Sequence, residues 1–160
     1  FNYLGSPQAL EKSAHHAVMG AVMAIILCGI TGLVAPFVIR YLTPADYHSA
    51  TGYLPLFLVA IALKICSEYL NIGCFIKTQS YQQMMIDILA AIVGLVAMIS
   101  MANEMGMMGI ILALNIAYVV RMLMFYMLSQ RVLCLPYKLK PLYSTAFISA
   151  AMLMTGQWLA

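Results

Sequence analysis

Five times along this chain the polar residues thin out for about twenty positions, and that recurrence limits the fold more than any other feature of the sequence. A helix needs about 20 apolar residues to cross the hydrocarbon layer of a bilayer. In lipid the backbone must satisfy its own hydrogen bonds, so runs of this length mean helices; barrel strands need only about 10 residues. The runs predict spans over roughly 17–39, 53–76, 84–101, 107–128 and 142–160. Composition agrees. The chain is 64% hydrophobic and 8% charged, where a soluble domain carries about 25% charged residues. The expected fold class is all-α, a polytopic transmembrane helical bundle of about five spans.

The connections are short and hold the breakers: RYLTPADYHSATG after the first run, KTQSYQQ after the second, ANEMG after the third and SQRVLCLPYKLKP after the fourth. ANEMG is short enough to make spans three and four an antiparallel hairpin. Basic residues set the orientation. Lys12, Lys77, Arg131, Lys138 and Lys140 fall on one side and Arg40 on the other. The N-terminal segment and the 129–141 loop are therefore expected in the cytoplasm. The net charge of +3 reads as this loop charge. No Lys/Arg cluster is dense enough to track a nucleic-acid backbone.

Two basic residues remain inside spans. Lys64 lies near the centre of span two, and a charge there costs about 2.5–3.5 kcal/mol on insertion scales. Glu68 is one turn on and Ser67 and Asn71 join them, so Ala60, Lys64, Ser67, Glu68 and Asn71 form a polar stripe. Two readings stand side by side. Lys64 and Glu68 neutralise each other and lock span two against a neighbour, or the stripe faces a watery cavity through which a polar solute passes. Arg121 lies in span four on the face of Ala113 and Ala117, about two turns from the cytoplasmic end, where its bland reading is that it snorkels to the surface. Asp87 lies one turn into span three beside Ala90, Ala91 and Gly94, either among headgroups or between helices. Asn115, mid-span, is expected to hydrogen-bond across helices. Small residues four apart, as at Gly20 and Ala24, Ala90 and Gly94, or Ala113 and Ala117, suit close helix packing.

The sequence lacks the motifs of the commoner enzyme chemistries: no HExxH, no CxxC pair, no Gly-rich phosphate loop. The four cysteines, 28, 66, 74 and 134, read as small buried hydrophobes. His15 and His16 are adjacent and point to different helix faces; with His48 they read as loop residues. No cofactor, metal site or enzymatic activity is expected. The chain opens on Phe and its last residues stop inside an apolar run, so it reads as a piece of a longer protein.

The order of these features resembles a known family. SPQALEKSAHH leads into a span; YLTPADYHSATGYLPLFLVA follows it, with Tyr47, Ala50 and Leu54 spaced Y-x-x-A-x-x-x-L; the next span ends in IKTQ; and ANEMGMMGIILA gives G-x-x-G at Gly106 and Gly109. Over roughly residues 8–140 this is similar to the C-terminal half of bacterial polysaccharide exporters. These are the O-antigen-type flippases of the multidrug/oligosaccharidyl-lipid/polysaccharide exporter superfamily. The chain departs from their pattern at Thr43, where those exporters often have Gly, and at Ile110 and Ile111, where they are richer in small residues.

The resemblance implies one incomplete lobe of a two-lobed, alternating-access transporter. Its substrate would be an undecaprenyl-diphosphate-linked oligosaccharide, its partners the bilayer and the remaining lobe of the same chain. It implies buried basic residues for the diphosphate, polar and aromatic groups for the sugars, and an acidic residue for ion coupling. The polar stripe then nominates Lys64, Glu68, Ser67, Asn71 and Arg121 for substrate binding, and Glu68 or Asp87 for the coupling ion. The alternatives are a drug/cation antiporter of the same superfamily, to which a central lysine is poorly suited, and a non-transporting membrane assembly protein whose charges are structural. A membrane enzyme would need clustered interfacial carboxylates, and Asp46 and Glu104 are isolated.

Overall fold

A computed structural model describes residues 7–71, 80–133 and 140–159. Every element among them is helical. The α-helices are α1 (Pro7–Leu42), α2 (Leu54–Leu70), α3 (Ser80–Met105), α4 (Met107–Leu133) and α5 (Lys140–Leu159), with a 3₁₀ segment, Ala45–Gly52, between α1 and α2. Cys74, Lys77, Cys134 and Lys138 lie outside the described residues, as do the IKTQ residues.

The sequence predicts five spans. Among the described residues three helices, α1, α3 and α4, are long and apolar enough to cross a membrane, or four if the 3₁₀ segment and α2 count as one span bent by 54°. Helix α5 is 20 residues long but is not among them; Ser144, Thr145, Ser149, Thr155 and Gln157 dilute its apolar run. The helices also outrun the expected spans. Helix α1 has 36 residues, about 54 Å at 1.5 Å per residue, well beyond the roughly 30 Å hydrocarbon layer.

Local chemistry explains the breaks. Pro44 stops the chain after α1, and Pro55 sits in the first turn of α2, where its missing N–H is not needed. In the bend, Thr51 Oγ1 donates to the His48 carbonyl at 2.7 Å and His48 Nε2 lies 3.2 Å from the Thr43 carbonyl. The hairpin turn between α3 and α4 comes down to Gly106, whose φ of +58° is the left-handed conformation glycine adopts without strain. Its N–H still caps α3, donating to the Ala102 carbonyl at 2.9 Å.

Helix contacts run in the order α3–α4–α2–α1–α5. Helix α1 buries Ala14, Ala17, Ala21, Ile25 and Cys28, a stripe at three- and four-residue spacing. Of the α3 span 11% is buried inside the protein, against 39% for α1. The remaining α3 surface, with Ile92, Leu95, Val96 and Ile99 exposed, is what lipid covers in a membrane-spanning helix.

Pro36 lies within α1 and is fully buried. A proline has no N–H to give, so the Gly32 carbonyl one turn back loses its helical donor. The backbone of α5 packs against that carbonyl: a Cβ added to Gly156 would lie 2.6 Å from the Gly32 oxygen. Nearby, Ser149 Oγ of α5 donates to the Ile25 carbonyl at 2.9 Å.

Candidate functional site

The charged residues of three helices converge on Arg121. From α4 its Nε donates to Asp87 Oδ1 of α3 at 2.7 Å. Its Nη1 donates to Glu68 Oε1 of α2 at 2.9 Å and to Ser67 Oγ at 2.7 Å. Ser67 Oγ donates onward to the Lys64 carbonyl at 2.6 Å. Below the guanidinium, Cζ lies 4.9 Å from the centroid of Phe125, one turn further along α4 and fully buried. Such a ring face attracts a cation.

The sequence places these residues by simple spacing. Ser67 and Glu68 are neighbours on α2, so one donor group reaches both. Asp87 and Arg121 sit on the small-residue faces of α3 and α4, which meet: a Cβ on Gly94 would lie 2.9 Å from Ala117 Cβ. The close approach brings a short aspartate within reach of a long arginine. The same two faces, with Phe57 of α2, line a groove of about 610 Å³ with Asp87 and Arg121 among its walls.

Exposure separates the members. The Arg121 side chain is 13% exposed, while Glu68 and Asp87 are 48% and 50% exposed. Arg121 is therefore pinned between two carboxylates. One cation between two carboxylates gives the cluster a formal charge of −1.

The polar stripe of α2 divides. Ala60, Ser67 and Asn71 are buried against protein, and Asn71 Oδ1 accepts from Gln83 Nε2 of α3 at 3.2 Å. Lys64 and Glu68 are exposed. Glu68 takes Arg121, not Lys64, as its salt-bridge partner, and Lys64 has no ion pair among the described residues. Asn115 does bond across helices, its Nδ2 donating to the Leu56 carbonyl of α2 at 3.1 Å and to the Ile111 carbonyl at 2.8 Å. Its buried Oδ1 has no partner among the described residues.

Sequence reasoning missed Gln83, assigned to a loop, and Phe125, one more apolar residue in an apolar run. The four-residue step from Arg121 to Phe125 was the available signal. His15 and His16 are both exposed, with ring centroids 6.2 Å apart. Among the described residues no group of three or more His, Cys, Asp or Glu is placed to hold a metal.

Comparison with known families, with curated proteins and with solved structures finds no match to this chain.

Proposed function

We propose that the chain belongs to one lobe of an alternating-access exporter of lipid-linked oligosaccharides in the bacterial inner membrane, its N-terminal segment cytoplasmic. In this reading Lys64 attracts the lipid-linked diphosphate, and the Glu68–Arg121–Asp87 cluster carries ion coupling. One observation supports this division of labour: Arg121 holds Glu68, so the Lys64 ammonium is left exposed and without an ion pair among the described residues. Arg121, already between two carboxylates, is the weaker candidate for an anion. The half-exposed carboxylates give a cation or proton access to a site that a buried arginine orders. The order of sequence features shared with polysaccharide exporters supplies the substrate class.

The test is export of the oligosaccharide by the full-length protein carrying Lys64→Ala or Lys64→Arg. Lys64→Ala should abolish export at unchanged protein level, and Lys64→Arg should keep part of it. Unchanged export with both removes the phosphate role. A second reading is favoured by the burial of Arg121 at a three-helix junction: the charges only hold a non-transporting assembly protein together. It predicts silent Lys64 variants and a lower protein level when Arg121 is replaced.

A further inference from the structure

On the far side of α2 from Arg121, Cys66 faces a cavity of about 320 Å³ between α1, α2, α4 and α5. Cys28 of α1 and Met122 of α4 line the same cavity. Both thiols are free and buried. Met122 packs against the cluster that contains Cys66. Three sulfur-bearing side chains from three helices thus line one cavity.

The rest of the lining offers little to a hard cation. Among the described residues no carboxylate or imidazole contributes. Thiolate and thioether ligands select soft ions such as Cu(I), whereas Mg²⁺, Ca²⁺ and Mn²⁺ want oxygen. Charge points the same way. An unpaired charge in an apolar cavity is costly, and one thiolate with a monovalent cation is neutral while the second thiol keeps its proton.

We propose that Cys28, Cys66 and Met122 form a binding site for a soft monovalent metal ion of the Cu(I) class. On binding, one thiol S–H breaks and its proton leaves to water as the metal–sulfur bond forms. The second thiol and the thioether complete the ligand set as neutral donors, and no electron is transferred. The site is independent of the exporter reading.

The test uses the full chain, purified in detergent, with Cys74 and Cys134 replaced by Ser so that neither contributes. Cu(I) is offered from a chromophoric chelator under anaerobic, reducing conditions. The protein should withdraw one equivalent. Cys28→Ala with Cys66→Ala should lose that equivalent while eluting as a single species of unchanged size. Met122→Leu, which keeps the volume and removes the sulfur, should bind more weakly. X-ray absorption at the copper edge should show sulfur neighbours only. No uptake, or uptake unchanged in the double-alanine variant, overturns the proposal, as does a copper spectrum dominated by nitrogen or oxygen.

Discussion

Two helix junctions in this protein are built on opposite principles. At the α2–α3–α4 junction one guanidinium ties carboxylates of α2 and α3 together beside helix faces that already pack closely. At the α1–α5 junction backbone meets backbone at Gly32 and Gly156, with Leu153 and Ser149 packed on α1 beside it. The first tolerates small shifts, because an arginine has rotamers to follow a moving partner and two carboxylates to choose between. The second tolerates none, since close-packed backbone gives no slack. The comparison teaches that a charge network ties one junction and close backbone packing the other, so each should answer to a different substitution.

Removing Arg121 should have the largest effect. Arg121→Leu leaves two carboxylates facing each other without a cation, and breaking a buried pair costs about 3–5 kcal/mol. The half-exposure of Glu68 and Asp87 puts the expected loss at the lower end of that range. It should appear as a reduced unfolding midpoint in detergent. Adding Glu68→Gln and Asp87→Asn to Arg121→Leu should recover most of the loss. If the triple variant is as unstable as the single one, unpaired charge was not the cause and the contrast between the junctions fails.

An added methyl group at the other junction should come next. In Gly156→Ala the Cβ would meet the Gly32 oxygen at 2.6 Å and the Leu33 Cα at 3.0 Å. Both are backbone atoms, so the helices must separate. Overpacking of this kind costs about 1–3 kcal/mol, read from the same unfolding curve. A neutral result would mean that α5 slides easily on α1.

The smallest effect should come from Asn71→Leu, which removes the bond to Gln83 at the rim of the charged junction. Hydrogen bonds between membrane helices average about 0.6 kcal/mol. A loss several times larger would extend the cluster beyond Arg121 and make Asn71 part of it.

The sequence showed the class of the fold and most of the charged residues, because apolar length and the scarcity of charge are local properties. It did not show who pairs with whom. Lys64 and Glu68 are four residues apart, and helical spacing alone makes them partners. Arg121 is 53 residues from Glu68, and only the packing of α4 against α2 brings it into range. The faces of Ala90, Gly94, Ala113 and Ala117 were legible as small, but not that they would bring Asp87 and Arg121 together. The fifth run is the one whose length in the sequence has no matching span among the described helices, because Ser, Thr and Gln positions are spread thinly along it.

Pro36 also affects the order in which the protein is made. The Gly32 carbonyl that it deprives of a donor is covered by α5, and the bond from Ser149 to Ile25 links residues 124 apart in sequence. At about 5–20 residues per second, α1 waits several seconds or more after its own synthesis before the helix that completes it emerges. Until then its polar gap is open to lipid, to stray water or to whatever assists insertion. A chain released before α5 would hold its charged junction complete and its first helix unfinished, so quality control that senses exposed polar backbone would find its signal at Gly32.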